Sequence, residues 1–327
     1  MYAKRRKKGS KLRAVRLVLT TIITVLIAVC GINLFVAVEQ KIGGGELVQN
    51  TGQAGKNIAD FSAGNYKYIK KDSSDISIGN LILVNNSVPY KFPEESALVS
   101  VFTEKNHSYK VSDRSIALDA TVISHFNKMM GDFEKAVNIH DIIIVSGYRT
   151  IDDQKEILDE KIRQSGEAEA VKRAAQPGYS EHHTGYAADI GIYKDDGRSQ
   201  SYNGSGKYGW IDENCANYGF ILRYSGDKEE ITGITDEPWH YRYVGVPHAA
   251  IIKNNGFCLE EYIDYLKNFS FESKHLTFAG TDGSQYEIYY VKASKDITTV
   301  PVPRNNEYSI SGNNTDGFVV TVKRLRT

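Results

Sequence analysis

The sequence predicts an α+β fold in which a transmembrane helix comes first and a small β-rich region comes last. Residues 17–38 carry no charged side chain. The middle of the chain alternates between short apolar runs, typical of strands, and segments with helical spacing. After residue 269, short alternating runs are separated by turn residues. We therefore divide the chain into a basic tail (1–16), a transmembrane anchor (17–38), a linker (39–77), a main domain (78–268) and a β-rich C-terminal region (269–327).

The composition is that of a globular protein with a substantial core, because 41% of the 327 residues are hydrophobic and 24% are charged. The net charge of zero conceals an asymmetry. Residues 1–16 contain eight Lys or Arg residues and no acid, which leaves 32 basic against 40 acidic residues in the rest of the chain. A protein whose main part is acidic repels phosphate groups, so we expect no nucleic-acid partner.

Residues 17–38 have the length of a helix that crosses a hydrocarbon core of about 30 Å. The basic block before them predicts a cytoplasmic N-terminus and an extracellular main domain. A cleaved signal peptide is one alternative, but the apolar run is long and no Ala-x-Ala site follows it. Lipidation at Cys30 is another, although Val29 stands where that pattern requires a small residue. We therefore predict an uncleaved signal anchor.

The linker is predicted from its glycine and polar residues and from its lack of a sustained period. Apolar spacing and composition predict the elements of the main domain. They are strands at 81–84, 142–145, 220–224 and 241–244, helices at 117–137, 152–165, 168–175, 210–218, 248–254 and 258–267, and a loop at 194–207. Cys215 and Cys258 lie in apolar helical contexts, which favours two buried thiols over a disulfide.

Two short stretches concentrate the chemically active side chains. Ser180-Glu181-His182-His183-Thr184-Gly185-Tyr186-Ala187-Ala188-Asp189 places imidazoles and a carboxylate around a glycine, and Glu237-Pro238-Trp239-His240 follows about fifty residues later. Three nitrogen or oxygen ligands, an open position for water and a spare carboxylate are typical of a catalytic zinc site. We therefore predict that Zn²⁺ binds here.

The spacing leaves the choice of ligands partly open. His182 and Asp189 are seven residues apart, so a straight strand would direct them to opposite faces. Gly185 provides the backbone freedom for a bend or a bulge that brings both to one metal ion. Spacing alone does not distinguish His182 from His183.

The remaining candidates are a base, an electrophile and a pocket wall. Pro238 keeps Glu237 out of a helix interior, so this carboxylate should lie on a loop and can act as a general base. Arg149 follows a buried strand and a glycine, where it can stabilise an oxyanion or form a surface salt bridge. Trp239 is a pocket wall or, by default, a core residue.

Taken together, these motifs resemble a known family. The pattern Ser180-x-His182-x-x-Gly185-x-Ala187-x-Asp189, with Glu237-x-x-His240 after it and Ser146-Gly147-Tyr148-Arg149 before it, is similar to VanY-type D-alanyl-D-alanine carboxypeptidases. These zinc peptidases form a group with the VanX dipeptidases and the zinc domain of hedgehog proteins. The resemblance covers roughly residues 78–268 and implies a central, mostly antiparallel sheet flanked by helices.

The resemblance also implies a role for each site residue. It makes His182, Asp189 and His240 the zinc ligands, Glu237 the catalytic base and Arg149 the group that steadies the oxyanion. His183 becomes a neighbour of the site. It also makes Ser180 and Gln154 the expected contacts of the substrate's terminal carboxylate. Ser146 and Trp239 are two further predicted substrate contacts.

The function expected from this resemblance is that of a membrane-anchored, extracellular zinc D,D-carboxypeptidase of a bacterial cell membrane. Its substrate would be a peptidoglycan stem peptide ending in D-Ala-D-Ala. An L,D-carboxypeptidase or an endopeptidase acting on the same wall peptides is the nearest alternative. A zinc-containing module that binds the cell wall without cleaving it is an alternative of another class. The sequence indicates no oligomeric state.

Overall fold

A computed structural model describes residues 65–93, 97–194 and 196–324. Its strands are β1 (Tyr66–Asp72), β2 (Leu98–Ser100), β3 (Lys110–Val111), β4 (Ala117–Asp119), β5 (Ile142–Ser146), β6 (Ala187–Tyr193), β7 (Ser199–Ser201), β8 (Phe220–Leu222), β9 (His240–Tyr243), β10 (Leu276–Ala279), β11 (Gln285–Lys292), β12 (Ile297–Pro303), β13 (Glu307–Gly312) and β14 (Gly317–Arg324). Its α-helices are α1 (Val101–Glu104), α2 (Ala120–Val137), α3 (Ile151–Ser165), α4 (Glu167–Ala170), α5 (Gly209–Asn214), α6 (Glu229–Thr232), α7 (His248–Asn255) and α8 (Leu259–Leu266).

The predicted basic tail, the transmembrane anchor and the linker as far as residue 64 lie outside the described residues. Within the described ranges, no helix is both long enough and apolar enough to cross a membrane. The described residues all belong to one compact unit.

A central six-stranded sheet forms the middle of the main domain, with the order β3-β5-β6-β9-β8 and with β7 paired to β6. Only β3 and β5 run parallel; the other pairs in this sheet are antiparallel. The predicted mostly antiparallel sheet is therefore confirmed. Its register places Ser146 opposite Asp189 and Asp189 opposite His240, so these three residues lie side by side on the neighbouring strands β5, β6 and β9.

Helix α2 covers one face of this sheet. Asp119 caps its N-terminus by accepting a hydrogen bond from the Thr121 backbone N–H, and Asn138 ends it in the left-handed conformation. Its buried side chains join strand residues in one apolar cluster; on the helix they are Val122, Ile123, Phe126, Met129, Met130 and Phe133. The predicted helix at 117–137 is thus confirmed except at 117–119, which pairs with β2 as strand β4.

Several predicted boundaries shift by a few residues. The helix predicted at 168–175 is only the single turn α4, and the strand predicted at 220–224 ends at residue 222. The loop predicted at 194–207 contains the short strand β7, because Ser199–Ser201 pairs with the end of β6. In each case short-range patterns located the element, whereas its ends depend on which backbone partners are available.

The strand predicted at residues 81–84 is wrong. Leu81–Val84 is buried, but it forms no ladder with another strand, and groups from the C-terminal region supply partners for its backbone. The Leu81 N–H donates to Ser311 Oγ at 2.9 Å, and the Leu83 N–H donates to the Asn313 carbonyl at 3.1 Å. Asn314 Nδ2 donates to the Leu83 carbonyl at 2.8 Å. Burial without a ladder is possible because these distant groups satisfy the backbone.

Tyr66–Asp72 also differs from its prediction, because it lies in the segment predicted as linker. It forms strand β1 and pairs antiparallel with β12 along its whole length. Its partner strand lies near the other end of the chain, so nothing in the local pattern of this lysine-rich segment indicates the pairing. The folded part of the protein therefore starts before residue 78.

The C-terminal region is β-rich, as predicted, with a four-stranded sheet in the order β10-β11-β14-β13. It is packed firmly against the main domain. One apolar cluster combines its residues Leu276 and Ile288 with residues of α7 and α8. His248 of α7 joins the two parts by hydrogen bonds to Tyr262 Oη at 2.7 Å and to Thr321 Oγ1 at 2.8 Å. Burial lowers the pKa of His248 to about 3, so this imidazole is neutral.

The two cysteines that the structure describes are buried and free, as predicted. Cys215 follows α5 and Cys258 caps α8. Burial raises the pKa of Cys215 to about 12 and that of Cys258 to about 11. Both side chains are therefore protonated thiols that act as small apolar groups.

Candidate active site

The structure brings His182, Asp189 and His240 together in a buried cluster whose candidate ligand atoms lie within 4.8 Å of one another. His182 Nε2 is 3.2 Å from Asp189 Oδ2, and His240 Nδ1 is 2.9 Å from Asp189 Oδ1. Asp189 and His240 face each other across the β6–β9 pair. Residues separated by fifty positions in sequence thus meet because their strands are neighbours.

Strand alternation explains why the cluster lies on one side of the sheet. Ala188, Ile190 and Tyr241 belong to the apolar cluster that α2 covers. The alternating neighbours Asp189 and His240 must then project from the opposite face. The sheet therefore separates an apolar face, which builds the core, from a polar face, which builds the site.

His182 reaches this face from outside the sheet, on the 3₁₀ turn Glu181–Thr184. Ser180 caps the turn through Oγ, which accepts from the His182 backbone N–H at 3.3 Å. Gly185 ends the turn at φ +73°, and a Cβ there would lie 2.6 Å from Leu98 Cδ2. The bend expected at this glycine is confirmed, and it removes the problem of odd spacing because His182 is not on the strand.

His183 faces away from the cluster. Its Nδ1 lies 2.7 Å from the Arg149 carbonyl and must donate to it, while Nε2 accepts from the Gly178 N–H at 3.0 Å. Its ring packs against Phe92 with centroids 5.2 Å apart. Both ring nitrogens are thus engaged in holding backbone, which decides the choice between the two adjacent histidines in favour of His182.

The protonation states of His182 and Asp189 suit a metal. His182 Nδ1 donates to the Gly147 carbonyl at 2.6 Å, which leaves the Nε2 lone pair for the site. Burial and the nearby Arg149 charge lower the pKa of His182 to about 4, so it is neutral. Burial opposes ionisation of Asp189, but its contacts with both histidines and with Arg149 hold its pKa well below the usual range.

The donor set fits zinc. Two imidazoles and one carboxylate form a common three-residue zinc site that leaves a fourth position open. The second ring nitrogen of each histidine is engaged elsewhere, with the Gly147 carbonyl for His182 and with Glu181 for His240, as is usual for metal-binding histidines. The carboxylates of Asp189 and Glu237 together outnumber the single guanidinium of Arg149, and this excess of negative charge favours a cation at the site.

Glu237 lies on the loop that leads into β9, as Pro238 predicted. One carboxylate oxygen is 4.0 Å from His240 Nδ1, beside the cluster. The backbone of Glu237 is held on both sides, since its N–H donates to the Tyr224 carbonyl and its carbonyl accepts from the His240 N–H, both at 3.0 Å. Burial raises the pKa of Glu237 to about 7, against the effect of His240 and with the help of Asp189. A carboxylate with this pKa is suited to accept and return a proton at neutral pH.

Arg149 points into the cluster and does not form the surface salt bridge considered as an alternative. Its Nη2 donates to Asp189 Oδ2 at 2.6 Å, and only 17% of its side chain is exposed. Two further hydrogen bonds orient the guanidinium, from Nε to Ser146 Oγ at 2.9 Å and from Nη1 to Gln154 Oε1 at 3.3 Å. A fixed cation thus lies next to the candidate ligands.

The predicted substrate contacts all lie near the site, but each has a partner within the protein. Gln154 is buried and donates from Nε2 to the Ala175 carbonyl at 2.8 Å, so it connects Arg149 to the backbone. Ser146 holds Arg149 and Ser180 caps the turn of His182. Trp239 packs against the core cluster, as its default assignment predicted. Contact of these four residues with substrate remains a prediction.

A group of buried charges lies behind the site and was not predicted from the sequence. Glu181 has no exposed side-chain surface and contacts Arg223, Arg242 and His240. A lone glutamate is usually a surface residue, so it drew no attention. The available signal was the pair of arginines, because each stands among apolar or aromatic residues, in Phe220-Ile221-Leu222-Arg223-Tyr224 and in His240-Tyr241-Arg242-Tyr243.

This chain is similar to known proteins of one family. A family model described as VanY, D-alanyl-D-alanine carboxypeptidase, matches residues 115–246. A D-alanyl-D-alanine carboxypeptidase of Enterococcus faecium is 40% identical over 249 residues, which are 75% of this chain and 75% of the relative. The crystal structure of the vancomycin-resistance D,D-dipeptidase VanXYg with a D-Ala-D-Ala phosphinate analog is 37% identical, with a TM-score of 0.71, and covers 79% of this chain and 99% of that one. A VanY structure from a VanB-type resistance cassette, in complex with Zn(II), is 36% identical with a TM-score of 0.47 and covers 56% and 98%.

Proposed function

Because this chain belongs to the VanY family of D-alanyl-D-alanine carboxypeptidases, we propose that it removes the terminal D-Ala from peptidoglycan stem peptides ending in D-Ala-D-Ala. The observation that carries this proposal is the buried His182–Asp189–His240 cluster, which has Glu237 beside it and Arg149 directed into it. These are the three metal ligands, the base and the cation that a zinc carboxypeptidase requires.

We further propose that residues 17–38 anchor the protein in a bacterial cell membrane, with the catalytic domain on the outer side. The support is the uncharged run itself and the eight basic residues before it. An anchor of this kind would keep the enzyme beside its substrate in the cell wall.

The mechanism follows from the positions of two side chains. His182, Asp189 and His240 would hold the zinc ion, which would supply a water molecule with a pKa lowered to about 7 and a Lewis acid for the carbonyl that is attacked. Glu237 accepts the proton of the attacking water and delivers it to the leaving amine. Arg149 donates hydrogen bonds to the negative charge that develops on the carbonyl oxygen. The terminal peptide bond breaks, and the products are the shortened peptide and free D-Ala.

The activity itself is tested by digestion of a pentapeptide that ends in D-Ala-D-Ala. We expect the detergent-solubilised full chain to release D-Ala, a chelator to stop the release and added zinc to restore it. The full chain is used because strand β1 begins at Tyr66, so a fragment that starts at residue 78 would lack part of the fold. If the peptide stayed intact in the presence of zinc-loaded protein, the proposed carboxypeptidase activity would be refuted.

The pH dependence is set by Glu237, whose pKa burial raises to about 7. A protonated Glu237 cannot accept a proton, so kcat/KM should fall as the pH falls through this pKa. A nearby zinc ion favours the carboxylate form and moves the pKa down. We therefore expect an acid limb with a midpoint at or below about 7, measured as kcat/KM against pH at saturating zinc. A midpoint well above 8 would contradict the assignment.

A D,D-dipeptidase is a second candidate function, because the match to VanXYg, named a D,D-dipeptidase, extends over 79% of this chain. Mass spectrometry of the products distinguishes the candidates. Free D-Ala-D-Ala is cleaved by a dipeptidase, the pentapeptide by a D,D-carboxypeptidase, the tetrapeptide by an L,D-carboxypeptidase and cross-linked peptides by an endopeptidase.

A further inference from the structure

Glu181 lies between the metal cluster and two buried arginines, and the proposed mechanism does not use it. Its Oε1 accepts from Arg223 Nε and from Arg242 Nη1, both at 2.8 Å. Its Oε2 is 3.3 Å from Nε2 of His240. The side chains of Glu181, Arg223 and Arg242 have no exposed surface. Burial of three charged groups is unfavourable unless each is paired, so this arrangement requires an explanation.

We propose that Glu181 is a positioning residue for the metal site. Its carboxylate accepts the Nε2 proton of His240 and so keeps the Nδ1 lone pair directed at the metal. A neutral imidazole carries one proton on one of its two nitrogens, and the acceptor of that proton decides which nitrogen is free. This inference rests on the proposed function, because it takes His240 as a metal ligand.

The arginines explain why Glu181 holds one orientation. Two guanidinium groups converge on Oε1, which leaves Oε2 facing His240. Arg223 also binds Glu260, with Nη1 and Nη2 at 2.9 and 2.6 Å from its two oxygens. The two glutamates and the two arginines together have no net charge. A planar, multiply bonded guanidinium restricts its partner more than a lysine would.

The support of Glu181 extends to the C-terminal region. Arg242 Nη2 donates to the carbonyls of Asn80 at 3.1 Å and Ile82 at 2.8 Å. Asn314, on the turn between β13 and β14, donates to the carbonyls of Leu83 at 2.8 Å and Pro89 at 2.9 Å. A chain of hydrogen bonds and covalent neighbours thus connects the β-rich region to His240 through one buried segment.

The test is a measurement of zinc affinity on the full chain, by competition with a chromogenic chelator. We expect Glu181→Gln to weaken zinc binding about 10- to 100-fold, the usual effect of removing a partner of a metal ligand. Glu287→Gln is the matched control, because Glu287 is also a buried glutamate paired with a histidine and an arginine, His275 and Arg324, and it does not contact His240. Its zinc affinity should stay within about twofold of wild type.

The results separate the positioning role of Glu181 from the proposed function. Unchanged zinc affinity in Glu181→Gln, or an equal loss in Glu287→Gln, would overturn the positioning role and leave the proposed function intact. A wild-type protein that binds no zinc would overturn both.

A second measurement needs no variant, so it can overturn the proposal even if Glu181→Gln does not fold. Long-range ¹H–¹⁵N correlation of the imidazoles in the zinc-loaded wild-type protein reports which nitrogen of each histidine carries the proton. We expect His240 to carry it on Nε2 and His182 on Nδ1. A proton on Nδ1 of His240 would overturn the proposal.

Discussion

Glu237→Ala should nearly abolish turnover while zinc remains bound. General acid–base catalysis by a positioned side chain contributes about 100- to 10,000-fold to a rate, so kcat should fall by that factor. Glu237 is not one of the three clustered ligands, and its carboxylate lies 4.0 Å from His240 Nδ1. The zinc content should therefore stay at one ion per chain. The measurements are the rate of D-Ala release and the bound zinc by elemental analysis.

Glu230→Ala is a suitable control, since Glu230 is an exposed glutamate on α6. Its rate should equal that of wild type. Loss of zinc from Glu237→Ala would make Glu237 a ligand and not the base, and a rate within tenfold of wild type would exclude it as the base. Glu237→Ala also tests the alternative of a non-catalytic binding module, because a non-catalytic role predicts that cells expressing this variant behave like wild type.

Arg149→Ala should lower kcat by about 100- to 1,000-fold, the effect of removing one group that stabilises a developing oxyanion. The structure holds this guanidinium by Ser146, Gln154 and Asp189, so its position is set before substrate binds. Arg149→Lys keeps the charge but loses the forked geometry, and we expect an intermediate loss. The readout is kcat for D-Ala release at saturating zinc.

Two observations would separate a direct role of Arg149 from an indirect one. Arg149 contacts Asp189, so its removal also affects the metal cluster. If excess zinc restored the rate of Arg149→Ala, the arginine would act through metal binding and not on the transition state. Arg163→Ala is the control, since this arginine lies on α3 with 64% of its side chain exposed and pairs only with Glu160 among the recorded ion pairs of the described residues.

The elements that the sequence predicted well are those with a local signal. The apolar spacing of α2 and the run of isoleucines in β5 each report their own burial, because a helix or a strand repeats its contacts with a fixed period. The segment Leu81–Val84 shows the limit of this reasoning. It has the composition of a strand, yet its backbone partners come from Ser311 and Asn313, which no local pattern can indicate.

By itself, the sequence identified the residues of the candidate site. His182, Asp189, Glu237 and His240 belong to a long motif with fixed spacing, and such a motif rarely occurs by chance. Only the tertiary structure decided how those residues are held. The pairing of β1 with β12 and the burial of Glu181 between two arginines both join segments far apart in the chain. A charged side chain is stable in the interior only where a distant partner compensates it, so its burial is a property of the packed fold and not of its neighbours in sequence.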